Sequence, residues 1–85
     1  MKYYIGKILE RNGEFEYTSD YLFQTEGDPH EYAGNQAKDW RGSDDDDWSD
    51  EDDGYWCDCT LVFNDGYREI PKEDYEVLSK YLAVL

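Results

Sequence analysis

The segment Ser43 to Gly54 reads SDDDDWSDEDDG, and it constrains the fold more than any other part of the chain. Eight of its twelve residues are carboxylates and none is basic. Taking an ionised carboxylate out of water without a partner costs on the order of several kcal/mol. The run therefore lies at the surface, facing solvent or a cationic partner. The residues before and after it must supply the core.

Eighty-five residues bound one small domain, 1–85, carrying 43–54 as an insert. At 39% apolar and 18% aromatic residues the chain is too rich in burial-prone side chains for a disordered polymer, so a folded domain with a mobile insert is expected. The net charge is −14, and outside the run fourteen acids still face eight bases. Such a field repels nucleic acid and anionic membranes and draws in basic proteins. The chain opens Met1-Lys2-Tyr3-Tyr4 without a basic-plus-apolar leader, and no apolar stretch approaches spanning length. Cys57 and Cys59, one residue apart, make no disulfide framework. The expectation is a cytoplasmic protein.

Met1 to Glu10 and Glu14 to Gln24 flank the turn cluster Arg11-Asn12-Gly13 and read as a β-hairpin. A two-residue loop at Asn12-Gly13 would set Phe15 against Glu10. A three-residue loop sets Leu9 against Phe15 and Tyr3 against Tyr21, which gathers Tyr3, Ile5, Leu9, Phe15, Tyr17, Tyr21 and Phe23 on one side. The longer loop is the expected one. Asp28-Pro29-His30-Glu31 carries the marks of a helix start, with Asp28 as N-cap, and Tyr32, Ala33, Gln36, Ala37 and Trp40 recur at helical spacing up to Gly42. Tyr55 to Phe63 alternates as a strand with Cys57 and Cys59 on its inner face, and Asn64-Asp65-Gly66 is expected to turn it back into Tyr67 to Ile70. Pro71 then opens a helix over about residues 72–83. The order ββαββα predicts an α+β fold: a four-stranded antiparallel sheet, both helices on one face, and the acidic insert after the first helix.

The acidic run is no calcium loop. With Gly54 at the invariant sixth position, Ser49 falls at the first and Thr60 at the twelfth, so both end ligands are wrong. Zinc would need two further ligands beside Cys57 and Cys59, and His30 is the only histidine, so neither metal nor cofactor is expected. No nucleophile stands beside His30, and no phosphate-cradling glycine loop occurs, which argues against an enzyme. As a surface that imitates nucleic acid the run fares better. Phosphates on one DNA strand rise about 3.4 Å apart and an extended peptide advances about 3.3 Å per residue, so a row of Asp matches the charge density of a DNA backbone. Trp48, set within the acids, is the kind of aromatic that stacks on guanidinium or fills a pocket. The candidate partner-binding residues are Asp44, Asp45, Asp46, Asp47, Trp48, Asp50, Glu51, Asp52 and Asp53, with Trp56 and Asp58 beside them. Glu14, Glu16 and Asp20 on the outward face of the second strand would extend the negative surface. The plain alternative is a solvated loop.

A short aromatic-rich chain with this run resembles the small acidic inhibitors of bacteriophages and mobile elements, the anti-CRISPR and antirestriction proteins that act as DNA mimics. The resemblance is one of composition, spanning the chain and its acidic run. It implies inhibition of a host CRISPR or restriction complex by occupation of its cationic DNA-binding surface, with a basic DNA-binding protein or nuclease as partner and no direct contact with nucleic acid. The competing expectation is an accessory domain that docks or self-associates through aromatic surface or a sheet edge, with the insert only solubilising it.

Overall fold

The computed structural model describes residues 1–85. Strand β1 (Lys2–Asn12) turns through Gly13 and Glu14 into β2 (Phe15–Thr25), and helix α1 (Pro29–Asp39) follows. A 3-10 turn at Asp45–Asp47 leads to β3 (Trp48–Ser49), β4 (Gly54–Cys57) and β5 (Thr60–Ile70). Helix α2 (Lys72–Leu78) and β6 (Ala83–Val84) close the chain. No helix is long and apolar enough to cross a membrane.

The fold is α+β with two helices, but its sheet corrects the four-stranded expectation. Six strands lie in the order β3-β4-β5-β1-β2-β6, and β6 runs parallel to β2, so the sheet is mixed. Of the two additional strands, β3 comes from the acidic run, where it pairs with β4. The other, β6, forms where a longer second helix was expected: α2 ends at Leu78, and the chain returns to lay Ala83 and Val84 against Tyr21 and Leu22.

The hairpin register explains a second correction. The loop is the pair Gly13-Glu14, with Gly13 at φ 60°, so Asn12 faces Phe15, Leu9 faces Thr18 and Tyr3 faces Gln24. This register divides the apolar residues between two faces. Tyr4 and Ile8 join Tyr21 and Phe23 beneath α1, with Ala33, Ala37 and Val62. Tyr3 and Ile5 lie with Leu22 and Ile70 beneath α2, where Tyr75 packs. The helices therefore cover opposite faces, and β1 is apolar at both parities because both of its faces are covered in part.

The segment read as one strand followed by a turn is arranged the other way. Asp58-Cys59, with Asp58 at φ 54°, is a two-residue turn that sets Cys57 against Thr60. Asp65-Gly66 is a bulge inside a continuous β5, opposite Lys7, and Gly66 sits at φ 114°. One extra residue reverses the facing of every side chain beyond it. Val62 before the bulge and Tyr67 after it thus both pack toward α1, whereas Leu61 and Ile70 turn to the other face.

Candidate functional site

The site begins at the end of α1. Asp28 accepts a hydrogen bond from the His30 N–H at 2.9 Å and starts the helix, as its N-cap position predicts. The other end closes with Gly42 at φ 73°, where the Ser43 N–H donates to the Lys38 carbonyl at 2.9 Å and the Gly42 N–H to Asp39 at 3.2 Å. Glu10 of β1 fixes this end to the sheet: its carboxylate accepts from Trp40 Nε1 at 2.7 Å and from Arg41 Nε at 2.6 Å. The acidic run thus leaves from an anchored point.

The run itself is part of the sheet. Trp48 pairs with Tyr55 and Ser49 with Gly54, so Asp50 to Asp53 form the tip of a short hairpin. The Asp53 N–H donates to the Ser49 carbonyl at 2.8 Å, and Asp53 takes the turn at φ 55°. Ser49 Oγ donates to Asp52 Oδ2 at 3.0 Å. Upstream, the Asp47 carboxylate accepts from the Asp44 N–H at 2.8 Å and closes the 3-10 turn. This replaces the expected mobile insert with a folded one. Gly54 makes the pairing feasible: a Cβ there would lie 2.9 Å from both Phe63 Cβ and the Val62 carbonyl oxygen.

Trp48 and Trp56 occupy opposite faces of the hairpin, since Trp48 and Tyr55 are cross-strand partners while Trp56 is one residue further along β4. Each indole is tied to a tip carboxylate: Trp48 Nε1 donates to Asp50 at 2.6 Å and Trp56 Nε1 to Asp52 at 3.1 Å. Both rings nonetheless remain about two-fifths exposed, at 41% and 40%. They brace the carboxylates and still present aromatic surface.

One ion pair reaches into the run, Lys38 Nζ to Asp45 Oδ1 at 2.7 Å. That hydrogen bond pushes the Lys38 ammonium above its usual range. The other salt bridges join Lys2 to Glu69, Arg11 to Glu16, Arg41 to Glu10 and the N-terminus to Glu26. Seven of the eight carboxylates between Ser43 and Gly54 therefore carry no cation. Lys38 was not among the expected site residues. Its only signal in the sequence is that it and Arg41 are the two bases that most closely precede the acids, Lys38 in the last turn of α1.

Asp44 to Asp47, Trp48, Asp50 to Asp53 and Trp56 thus come together, with Asp58 exposed in the β4–β5 turn. Glu14, Glu16 and Asp20 do not join them. Glu14 lies in the β1–β2 loop, and Glu16 and Asp20 belong to β2, which β5 and β1 separate from the hairpin. Glu16 is neutralised by Arg11 at 2.8 Å, and Asp20 sits opposite Lys7. Of the expected acidic residues, those of the run therefore share one edge of the sheet, and those of the first hairpin lie apart from it. The cysteines are not core residues: Cys57 ends β4 half-buried, and Cys59 is exposed in the turn. No group of three or more His, Cys, Asp or Glu side chains has the geometry to hold a metal ion. Compared with protein-family models, curated proteins and solved structures, the chain matches none at a significant level, so the reading of this site rests on its own residues.

Proposed function

We propose that this protein is a non-enzymatic acidic binding protein that acts as a DNA mimic, occupying the cationic phosphate-binding surface of a nucleic-acid-binding defence complex of the CRISPR or restriction kind. The observation that carries the reading is the seven uncompensated carboxylates on a folded edge segment, the 3-10 turn and hairpin of residues 44–53, in a chain of whose eight Lys and Arg side chains only Lys38 pairs with that segment. Holding like charges together in one place is unfavourable for the isolated domain. A partner rich in Lys and Arg relieves that repulsion and forms charge-assisted hydrogen bonds. Because the hairpin is already folded, binding has less chain entropy to remove. Competition with DNA follows, since the same side chains grip phosphate.

A second reading draws on the opposite edge. Strand β6 covers only Tyr21 and Leu22 of β2, and beyond them Phe15 and Tyr17 are 66% and 59% exposed. A strand edge with exposed aromatics suits docking by strand addition, with the acidic hairpin serving solubility.

Capture from lysate of a bacterium carrying CRISPR and restriction systems separates the two. The bait is the wild-type protein or the Asp46→Asn/Glu51→Gln/Asp53→Asn variant, whose altered groups neither pair with a cation nor hold an indole. Mimicry predicts a nucleic-acid-binding complex that leaves at moderate salt, is displaced by duplex DNA and is lost with the variant. A complex that resists salt and is retained by the variant would refute mimicry in favour of the β2 edge.

A further inference from the structure

The acidic hairpin does not stand clear of the domain. Between it and α1 runs an open cleft of about 300 Å³, and Gly34 and Ala37 of the helix line one side. Trp48 and Tyr55 line the other, with ring centroids 4.9 Å apart at 64°, so the two rings make an aromatic corner. Carboxylates border it from both elements: Glu31 from the first turn of α1 and Asp53 from the hairpin tip, neither of them in an ion pair. Asn64 also lines the cleft. Its Oδ1 accepts one bond, from the Gly66 N–H at 3.0 Å, and keeps a second lone pair for a donating ligand.

We infer that this cleft is an arginine-binding pocket, which seats one guanidinium of the cationic partner between the Trp48–Tyr55 corner and the Glu31 and Asp53 carboxylates. The inference rests on the proposed cationic partner and deepens it by naming the side chain that anchors the complex. An apolar occupant would strip water from two carboxylates without replacing it. An anion would meet the most negative edge of the molecule. A guanidinium answers both features, because its flat face stacks on an indole while its edge N–H groups bond carboxylate oxygens. Lysine offers a compact point charge with no plane to stack, so arginine is preferred. The glycine inside α1 acquires a reason. Gly34 costs the helix about 1 kcal/mol relative to alanine, yet a Cβ there would meet nothing within 4 Å, because the position opens onto the cleft.

The test is an NMR titration of the isotope-labelled protein with acetyl-Gly-Arg-Gly-amide and, separately, acetyl-Gly-Lys-Gly-amide, with an octa-arginine peptide as a general polycation. The inference predicts saturable shifts at the Trp48 indole, Tyr55, Gly34 and Asn64 with the arginine peptide, at an affinity about fivefold above that of the lysine peptide. Gly34→Leu fills the cleft while favouring the helix, and it should abolish those shifts in a protein that remains folded. Asp53→Asn, which tolerates the same backbone conformation, should weaken them. If both tripeptides shift only the exposed acids of residues 44–47 and 50–52, equally and without saturation, the pocket is refuted and the electrostatic reading stands. If even octa-arginine produces no shift, both fall.

Discussion

Tyr21 shows how one side chain sets a measurable limit on the fold. Its ring is fully buried against Phe23, with centroids 5.6 Å apart, and its hydroxyl finds no protein partner. Burial, with a smaller contribution from Tyr32, raises its pKa from 10.0 to about 12. In the unfolded chain the phenol ionises near 10, so between there and 12 the folded state retains a proton that the unfolded state has lost. Stability is unaffected below that window and falls as pH rises through it, by about 2 kcal/mol from this residue. Tyr21→Phe should remove that part of the alkaline loss. At pH 7 it should unfold at the same urea concentration or a higher one, because deleting an unsatisfied buried hydroxyl recovers up to about 1 kcal/mol. A variant clearly weaker at pH 7 would mean that the hydroxyl is hydrogen-bonded after all.

At the scale of elements, Gly54 is the joint of the acidic hairpin. Placing a Cβ within 2.9 Å of backbone on β5 forces β4 outward, so Gly54→Ala should cost about 2 kcal/mol in denaturant unfolding and release the Trp48–Tyr55 contact. If the variant retains full stability, β4 is not paired as described. The same element shows what was legible in the chain beforehand. Helix α1 was readable because its signals are local: Asp28 and Pro29 mark its start, and Ala33 and Ala37 mark its buried face. The strands were less so. Alternation from Tyr55 to Phe63 looks like one strand because Asp58-Cys59 interrupts it without a glycine or proline. Asp65-Gly66 carries the same composition whether it reverses a chain or bulges it, and only the presence of β1 alongside decides. Strand β6 is two residues long and pairs with a strand some sixty positions away, which no local pattern announces. The charge of the site was plain, but its bracing was not. The bonds from Trp48 to Asp50 and from Trp56 to Asp52 exist because the chain folds back between them.

For the molecule as a whole, the dominant fact is a net charge of −14 on a body measuring 38 × 26 × 18 Å. Self-repulsion opposes the compact state, and salt screens it. Raising sodium chloride from about 0.01 M, where the screening length is ~30 Å, to about 1 M, where it is ~3 Å, should therefore stabilise the protein. A gain of about 1 kcal/mol would raise the melting temperature by roughly 4–8 °C in a domain of this size. The Asp46→Asn/Glu51→Gln/Asp53→Asn variant should gain less, and an equal gain would mean that the hairpin adds no special charge density. Binding by this edge depends on the carboxylates being held in place before a partner arrives. The most direct test is backbone {1H}-15N heteronuclear NOE on the free protein. A preordered hairpin predicts values at Trp48, Ser49, Asp53 and Tyr55 equal to those along β1 and β2. Values near those of an unfolded chain, confined to residues 44–54, would contradict it and leave the acidic run a solvated loop.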